Sequence, residues 1–340
     1  MSTTVEETEK TETAEETKNE LLLDSLEIKG YRCFEHLTIE KLGRVNLIVG
    51  KNNVGKTALL EALWILANRG DRKILNEILD KRYELPLSVS YDSYARNQDG
   101  VGHLFFGRPR FNESSKNSFF KVGLFNNPDL YIKVERVSYQ TTYTIYKTLF
   151  RPPTFYIETN GVHNTEIIKF WDKIALTEKK NYVINSLQII LEKISDIDLL
   201  VYPEGATERI PLARTIDSSG RIPLKSLGEG MSRVFGIILA LVNCQDGIIF
   251  IDEIEIGLHY SVLPDVWKLI FKTAKDLNVQ VFATTHSKDC VEAFAQIANE
   301  NDEKDDGMLI RLERHDEKIV AKTINEENLG LAIDYGAEVR

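Results

Sequence analysis

At 340 residues, 43% of them hydrophobic and 28% charged, the chain can bury a sizeable core and has the composition of a soluble globular protein of one large or two modest domains. A formal net charge of −10 excludes a global basic field for nucleic acid and leaves only a local patch for such a role. The cysteines Cys33, Cys244 and Cys290 lie far apart, with no C-x-x-C pair and no histidine cluster at zinc spacing, which argues against a disulfide framework or structural zinc. No apolar run reaches the roughly 18 residues of a membrane helix, and the start has no hydrophobic signal core, so a cytoplasmic protein with no membrane partner is expected.

Residues 1–22 form an acidic tail. Met1 to Glu20 contain seven Glu and six Thr against two Lys, with only Met1, Val5 and Ala14 apolar, too little surface to offset chain entropy. Disorder is expected there, as a solvated leader or an interaction tail. Leu23 to Ile39 then reads as two short strands, around Leu26–Lys29 and His36–Ile39, joined by Gly30-Tyr31-Arg32-Cys33-Phe34. Since the segment feeds directly into Val45, it is expected in the same sheet system. Arg32 is either an exposed turn arginine or a basic group held beside a ligand.

Val45 to Val49 is an apolar run short enough for a buried strand, and it leads into Gly50-Lys51-Asn52-Asn53-Val54-Gly55-Lys56-Thr57-Ala58. A helical pattern follows, with Leu59, Leu63 and Leu66 flanked by Leu60 and Trp64. This is the strand, glycine loop and helix of a P-loop. Glycines let backbone N–H groups curl around a phosphate, and the helix start adds the positive end of its dipole. In such a loop Lys56 reaches the β- and γ-phosphates of ATP and the Thr57 hydroxyl holds Mg²⁺.

Asp71 to Leu85 is helical and charged, and Tyr91 to Ser118 is loop-like around Leu104-Phe105-Phe106. From Phe119 to Thr159 apolar and polar residues alternate as in antiparallel strands; Arg136, Lys147 and Arg151 there belong to a solvated strand face or to a nucleic-acid contact. Between Thr165 and Ile197 the period shifts towards 3.6, in Ile167, Ile168, Trp171 and Ile174, then Val183, Leu187, Ile190, Leu191 and Ile194, predicting two helices. Short strands return from Leu199 to Ile222, with turn chemistry at Asp217-Ser218-Ser219-Gly220.

Leu227-Gly228-Glu229-Gly230-Met231-Ser232-Arg233 opens an apolar helix that runs through Val242. Its glycines make either a second anion site or a flexible capping turn. Ile248 to Ile251 is wholly apolar and ends in Asp252-Glu253, the form of a Walker B strand buried on both faces, whose carboxyl end is where α/β sheets bind ligands. Asp252 would approach the Mg²⁺ shell and Glu253 would polarise an attacking water. A helix over about Ser261 to Leu277 precedes another apolar strand, Val279 to Ala283, which ends in Thr284-Thr285-His286-Ser287. His286 is placed to hydrogen-bond a γ-phosphate or orient the water. A hairpin, Leu309–Arg314 with Lys318–Lys322, follows.

Together, in this order, the segments resemble the SMC-like branch of the ABC-class ATPases, the stand-alone heads related to RecF and to the ATPase half of OLD family nucleases. The resemblance implies an α/β fold: a P-loop NTPase of ABC/SMC-head type, whose mixed sheet has a parallel nucleotide-binding core, with an antiparallel β subdomain and a helical insertion. It divides residues 23–340 into an N-lobe (23–160), the insertion (161–200) and a C-lobe (201–340). In that family two heads face each other head to tail and sandwich ATP between one copy's Walker residues and the other's signature loop. Carried over, Gly50, Asn52, Asn53, Gly55, Lys56 and Thr57, flanked by Lys51, Val54 and Ala58, hold phosphate and Mg²⁺. Asp252 supports the metal, Glu253 is the catalytic base and His286 the switch histidine. Gly228 and Gly230 would face the opposite γ-phosphate, and Arg32 matches a basic residue near the nucleotide.

The usual signature Leu-Ser-Gly-Gly-Gln/Glu is replaced here by Leu227-Gly228-Glu229-Gly230-Met231, so its serine is missing and Ser232 or Arg233 would have to compensate. Gln140 is a weak match to the Q-loop glutamine. OLD nucleases continue into a metal-dependent nuclease domain for which this chain has no room, so a nuclease would be a separate polypeptide. The leading expectation is an ATP-dependent dimerising switch that controls an effector in DNA maintenance or defence against foreign DNA. The alternative is an ATP-gated DNA clamp of RecF-like repair type. A small-molecule kinase using the P-loop alone is a third reading, disfavoured by Asp252-Glu253 and the signature-like loop.

Overall fold

The computed structural model describes residues 21–85, 100–108, 118–137, 140–146, 151–203, 205–217, 220–300 and 306–334. The expectations for residues 1–20, for Lys147 and for the side chains of Arg136 and Gln140 lie outside the described residues. Strands β1 (Leu26–Tyr31) and β2 (Phe34–Ile39) form a hairpin, and β3 (Val45–Val49) enters the P-loop. Helix α1 (Lys56–Ala67) leaves the loop, and α2 (Arg72–Lys81) follows, with the Asp71 side chain accepting from the Lys73 N–H to cap it.

Strands β4 (Ser118–Gly123), β5 (Tyr131–Val137) and β6 (Gln140–Tyr146) extend the hairpin into an antiparallel sheet of order β2-β1-β4-β5-β6. The first hairpin therefore pairs in a different sheet from β3, although its buried residues share an apolar core with Ile48 of β3. The burial of β2 shows why: it mixes buried Phe34, Leu37 and Ile39 with exposed Glu35 and His36, whereas every residue of β3 is buried. A strand with one wet face belongs on an outer layer.

Strand β7 (Thr154–Ile157) departs from the antiparallel reading of Phe119 to Thr159, for it lies parallel to the Walker B strand in another sheet. Pro152-Pro153 cannot donate ladder hydrogen bonds and so break the antiparallel run. Helices α3 (Asn164–Ile174) and α4 (Glu178–Leu187) come next, then a three-stranded antiparallel sheet of β8 (Ile194–Val201), β9 (Arg209–Thr215) and β10 (Arg221–Pro223). The 3.6 period predicted helix up to Ile194, but α4 stops at Leu187. Ile190 and Leu191 pack against the core from a turn, and Ile194 opens β8 with its side chain buried.

The rest is α5 (Glu229–Asn243), β11 (Ile248–Ile251), α6 (Leu263–Asp276), β12 (Gln280–Thr284), α7 (Lys288–Glu300), the hairpin β13 (Gly307–His315) and β14 (Lys318–Asn325), and α8 (Glu326–Asp334). The central six-stranded sheet has the order β14-β13-β3-β12-β11-β7, and only the β13–β14 pair within it is antiparallel. Its strands alternate between two apolar cores. Val45, Leu47, Ile249, Ile251, Val281 and Ala283 face one core with α3 to α7, while Ile48, Phe250 and Phe282 face the other with α1 and the antiparallel sheet. Each fully buried side chain of this size contributes about 1.5–3 kcal/mol. Burial on both faces places these strands inside the sheet, and the observed order brings the carboxyl ends of β3, β12 and β11 side by side. No helix among the described residues is long and apolar enough to cross a membrane.

Candidate nucleotide-hydrolysing site

The P-loop is shaped by its neighbours as much as by its own residues. Gly55, the N-cap of α1, has φ 105°, and a Cβ there would lie 2.7 Å from Cys33 Sγ, so only glycine fits. No side chain caps this helix start, which leaves its first N–H groups for an anion. The Lys56 ammonium donates to the carbonyl of Gly50 at 2.8 Å and of Lys51 at 3.3 Å, which folds it across the loop. Burial lowers its pKa, against the pull of Glu253, Asp252 and Glu255.

Strands β11 and β12 supply the opposite wall. Asp252 is buried and accepts a 2.6 Å hydrogen bond from the Thr284 hydroxyl; its two carboxylate oxygens lie 3.4 and 3.3 Å from Thr57 Oγ1. The Glu253 backbone N–H donates to the same Thr284 oxygen at 2.8 Å. His286 Nδ1 lies 3.1 Å from Glu255 Oε1 and 3.7 Å from Glu253 Oε1, and the His286 backbone N–H donates to Glu255 at 3.0 Å. Lys56, Thr57, Glu253 and His286 thus line one cavity of about 780 Å³, together with Asn52, Asn53, Gly55 and Ala58. Val54 is buried beneath the loop, and Lys51 faces a neighbouring cavity of about 340 Å³ bounded by Arg311 and Arg314.

Arg32 also reaches the main cavity, but not as an exposed turn residue. Its side chain is 5% exposed and paired with Glu61 at 2.8 Å and Glu84 at 3.0 Å, and its Nη2 is buried without a hydrogen-bond partner among the described residues. Arg82 binds the other Glu61 oxygen at 2.7 Å, and Arg108 binds Glu84 at 3.2 Å. Burial opposes the Arg32 charge, but Tyr31, Glu61 and Glu84 outweigh it and raise its pKa; burial pushes the Glu61 carboxyl up against Arg32 and Arg82. Arg82, Arg108 and Cys33 line the cavity and escaped the sequence reading, because nothing local marks residues that converge from separate segments.

The structure does not bring Gly228 and Gly230 into that cavity. They start α5 elsewhere: Gly228 is an exposed N-cap with φ 118° and no side-chain cap, and Gly230 packs against the carbonyl of Gly257. The Arg233 guanidinium is bonded to backbone carbonyls of its own chain. Arg151 forms an exposed ion pair with Asp71 at 2.8 Å.

This arrangement combines an anion cradle, a lysine and a carboxylate pair at the carboxyl ends of parallel strands. A family model described as AAA ATPase domain matches residues 22–197 and 155–291. The chain belongs to that ATPase family. Over 380 aligned residues it is 24% identical to a protein of Helicobacter pylori described as an ATP/GTP phosphatase, covering 91% of this chain and 97% of that one. A short segment of 57 residues, 17% of this chain and 15% of the relative, is 35% identical to the DNA replication and repair protein RecF of Bacillus mycoides. Among solved structures, an SMC head bound to the C-winged helix domain of ScpA superposes with a TM-score of 0.53 at 14% identity, covering 89% of this chain and 97% of that one. The SMC head domain of Thermotoga maritima gives 0.50 at 13%, covering 89% and 98%. The fold is that of an SMC head, and the protein is a nucleotide-binding ATPase.

The donor set fits Mg²⁺: a hydroxyl and a carboxylate converge at Thr57 and Asp252, hard oxygens of the kind this ion takes alongside water and phosphate. When bound, Mg²⁺ neutralises charge on the phosphates. The Thr284 hydroxyl fixes Asp252, and Glu253 lines the cavity with His286 Nδ1 3.7 Å from its carboxylate.

Proposed function

We propose that this ATPase is a Mg²⁺-dependent switch in which two copies pair head to tail around ATP. Lys56 and the backbone of Gly50 to Ala58 hold the triphosphate, Thr57 and Asp252 hold the metal, Glu253 acts as the base and His286 orients the γ-phosphate or the water. The observation that carries this reading is the separation between the two halves of the site. The glycine start of α5 has no side-chain cap, Gly228 is exposed, and neither Gly228 nor Gly230 lines its own chain's cavity, which supports a role for this helix start toward the nucleotide of another copy.

Hydrolysis then resets the pair, and the state of the pair controls a separately encoded effector, for which a nuclease in DNA maintenance or anti-phage defence is our proposal. Sedimentation velocity of Glu253→Gln with and without ATP tests the mechanism. ATP-dependent pairing, abolished by Lys56→Ala, is expected; sedimentation unchanged by ATP refutes it. Direct, salt-sensitive DNA binding that strengthens with ATP would instead favour a clamp.

A further inference from the structure

Arg233 lies early in α5, just beyond the Gly228–Gly230 loop, yet its guanidinium points back into its own chain. Nη1 donates to the carbonyls of Glu158 at 3.2 Å and Thr159 at 2.7 Å, and Nη2 to those of Asp252 at 3.2 Å and Glu253 at 3.0 Å. One side chain thus joins the signature helix, the end of β7 and the turn that carries the catalytic carboxylate. Gly161, at φ 89°, lies beside the guanidinium, where a Cβ would sit 3.4 Å from Nη1, an ordinary contact distance. Burial lowers the Arg233 pKa against the pull of Glu255, Asp252 and Glu253, so the charge is placed here at a desolvation cost.

What it holds is strained. Glu253 has φ 48°, the left-handed region that costs a residue with a Cβ roughly 1–2 kcal/mol. Such a conformation persists only where its surroundings impose it. Thr284 fixes the Glu253 N–H and Arg233 fixes the Glu253 carbonyl, so the residue is pinned from both sides. The β7 end is pinned by the same fork, because Ile157 accepts from the Asp252 N–H at 2.9 Å and the next two carbonyls bind Nη1.

We propose that Arg233 is a positioning residue for Glu253 and the link through which the Gly228–Gly230 loop reaches the hydrolytic site of its own chain. A helix moves as a unit, so a shift of the α5 start on meeting an anion is passed through the guanidinium to the two peptide groups on either side of the Glu253 Cα. Hydrolysis in one site thereby responds to nucleotide in the other. The link rests on the paired-copy reading; the positioning role does not.

Steady-state ATP hydrolysis by Arg233→Ala and Arg233→Lys is the test, with binding of a fluorescent ATP analogue measured alongside. The expected result for Arg233→Ala is a kcat lower by about 30-fold or more, from losing charge-assisted bonds of about 1.5–3 kcal/mol each, with KM and analogue affinity within about threefold. Lysine keeps the charge but not the planar fork, so Arg233→Lys restores kcat only partly. Guanidinium ion at about 50 mM rescues Arg233→Ala, and ammonium does not. A kcat within about threefold of the parent, or a loss appearing in KM and analogue affinity instead, overturns the positioning role. To separate the link from the paired-copy reading, the double variant Arg233→Ala/Glu253→Gln is sedimented with ATP beside Glu253→Gln alone. Pairing retained in both supports the link. If Glu253→Gln alone fails to pair, the link falls with the paired-copy reading, while the kinetics still decide the positioning role.

Discussion

Replacing Glu61 by leucine tests the buried charge network beside the P-loop cavity. The Glu61 side chain is 7% exposed and bonds Arg32 at 2.8 Å and Arg82 at 2.7 Å, with the Tyr31 hydroxyl donating at 3.3 Å. Removing one partner of a buried pair costs about 3–5 kcal/mol, because the other charge stays buried and uncompensated. Here Arg32 keeps Glu84 at 3.0 Å, which places the loss at the lower end. The Arg82 side chain is 34% exposed, and its share is that of a partly screened surface pair, below about 1 kcal/mol. A loss of about 3 kcal/mol follows for Glu61→Leu. With an unfolding entropy of about 2.1 cal/mol/K per residue, that lowers Tm by about 4 °C for 340 residues. Calorimetry of the nucleotide-free protein measures it, and the double variant Arg32→Met/Glu61→Leu should recover part of the loss, since both partners are then apolar. A change in Tm under about 1 °C for Glu61→Leu, or strictly additive losses in the double variant, would refute the reasoning.

The lowered Lys56 pKa sets two opposite pH dependences. Because burial holds it below 10.5, the unfolded chain binds the proton more tightly, so this residue's contribution to stability rises as pH climbs from the folded value towards 10.5. A triphosphate favours the ammonium, so ATP affinity falls as pH rises through the same window; titration calorimetry of Lys56→Arg, charged throughout, should show a flat profile. Gly55→Ala brings a methyl within 2.7 Å of Cys33 Sγ and 2.9 Å of Phe34 Cζ at φ 105°, and fluorescent nucleotide binding should weaken at least tenfold, while Cys33→Ala in the same chain relieves only the sulfur contact and neither the ring contact nor the dihedral. Gly230→Ala places a methyl 2.9 Å from the Gly257 carbonyl and pushes the α5 start away from that turn; hydrolysis should fall with nucleotide affinity nearly unchanged. Equal losses in both would show that Gly230 serves its own chain's cavity.

The sequence by itself determined the parts of this protein that are written in consecutive residues. Gly50 to Thr57 needs backbone N–H groups from adjacent positions, and Ile248 to Glu253 needs a buried strand that ends in carboxylates, so both are readable wherever they occur. The unbroken apolar runs of β3, β11 and β12 showed that all three are covered on both faces, but not in which order they pair. Tertiary structure decided the rest. It separated the first hairpin from β3, turned Thr154–Ile157 into the neighbour of the Walker B strand, and ended α4 before apolar residues that pack from a turn. It also gathered Arg32, Glu61, Arg82, Glu84 and Arg108 into one wall and ran Arg233 to four carbonyls from two distant segments. No periodicity marks such residues, because their partners are chosen by the packing of layers, and a charged side chain reads alike in sequence whether it ends in water or on a buried carbonyl.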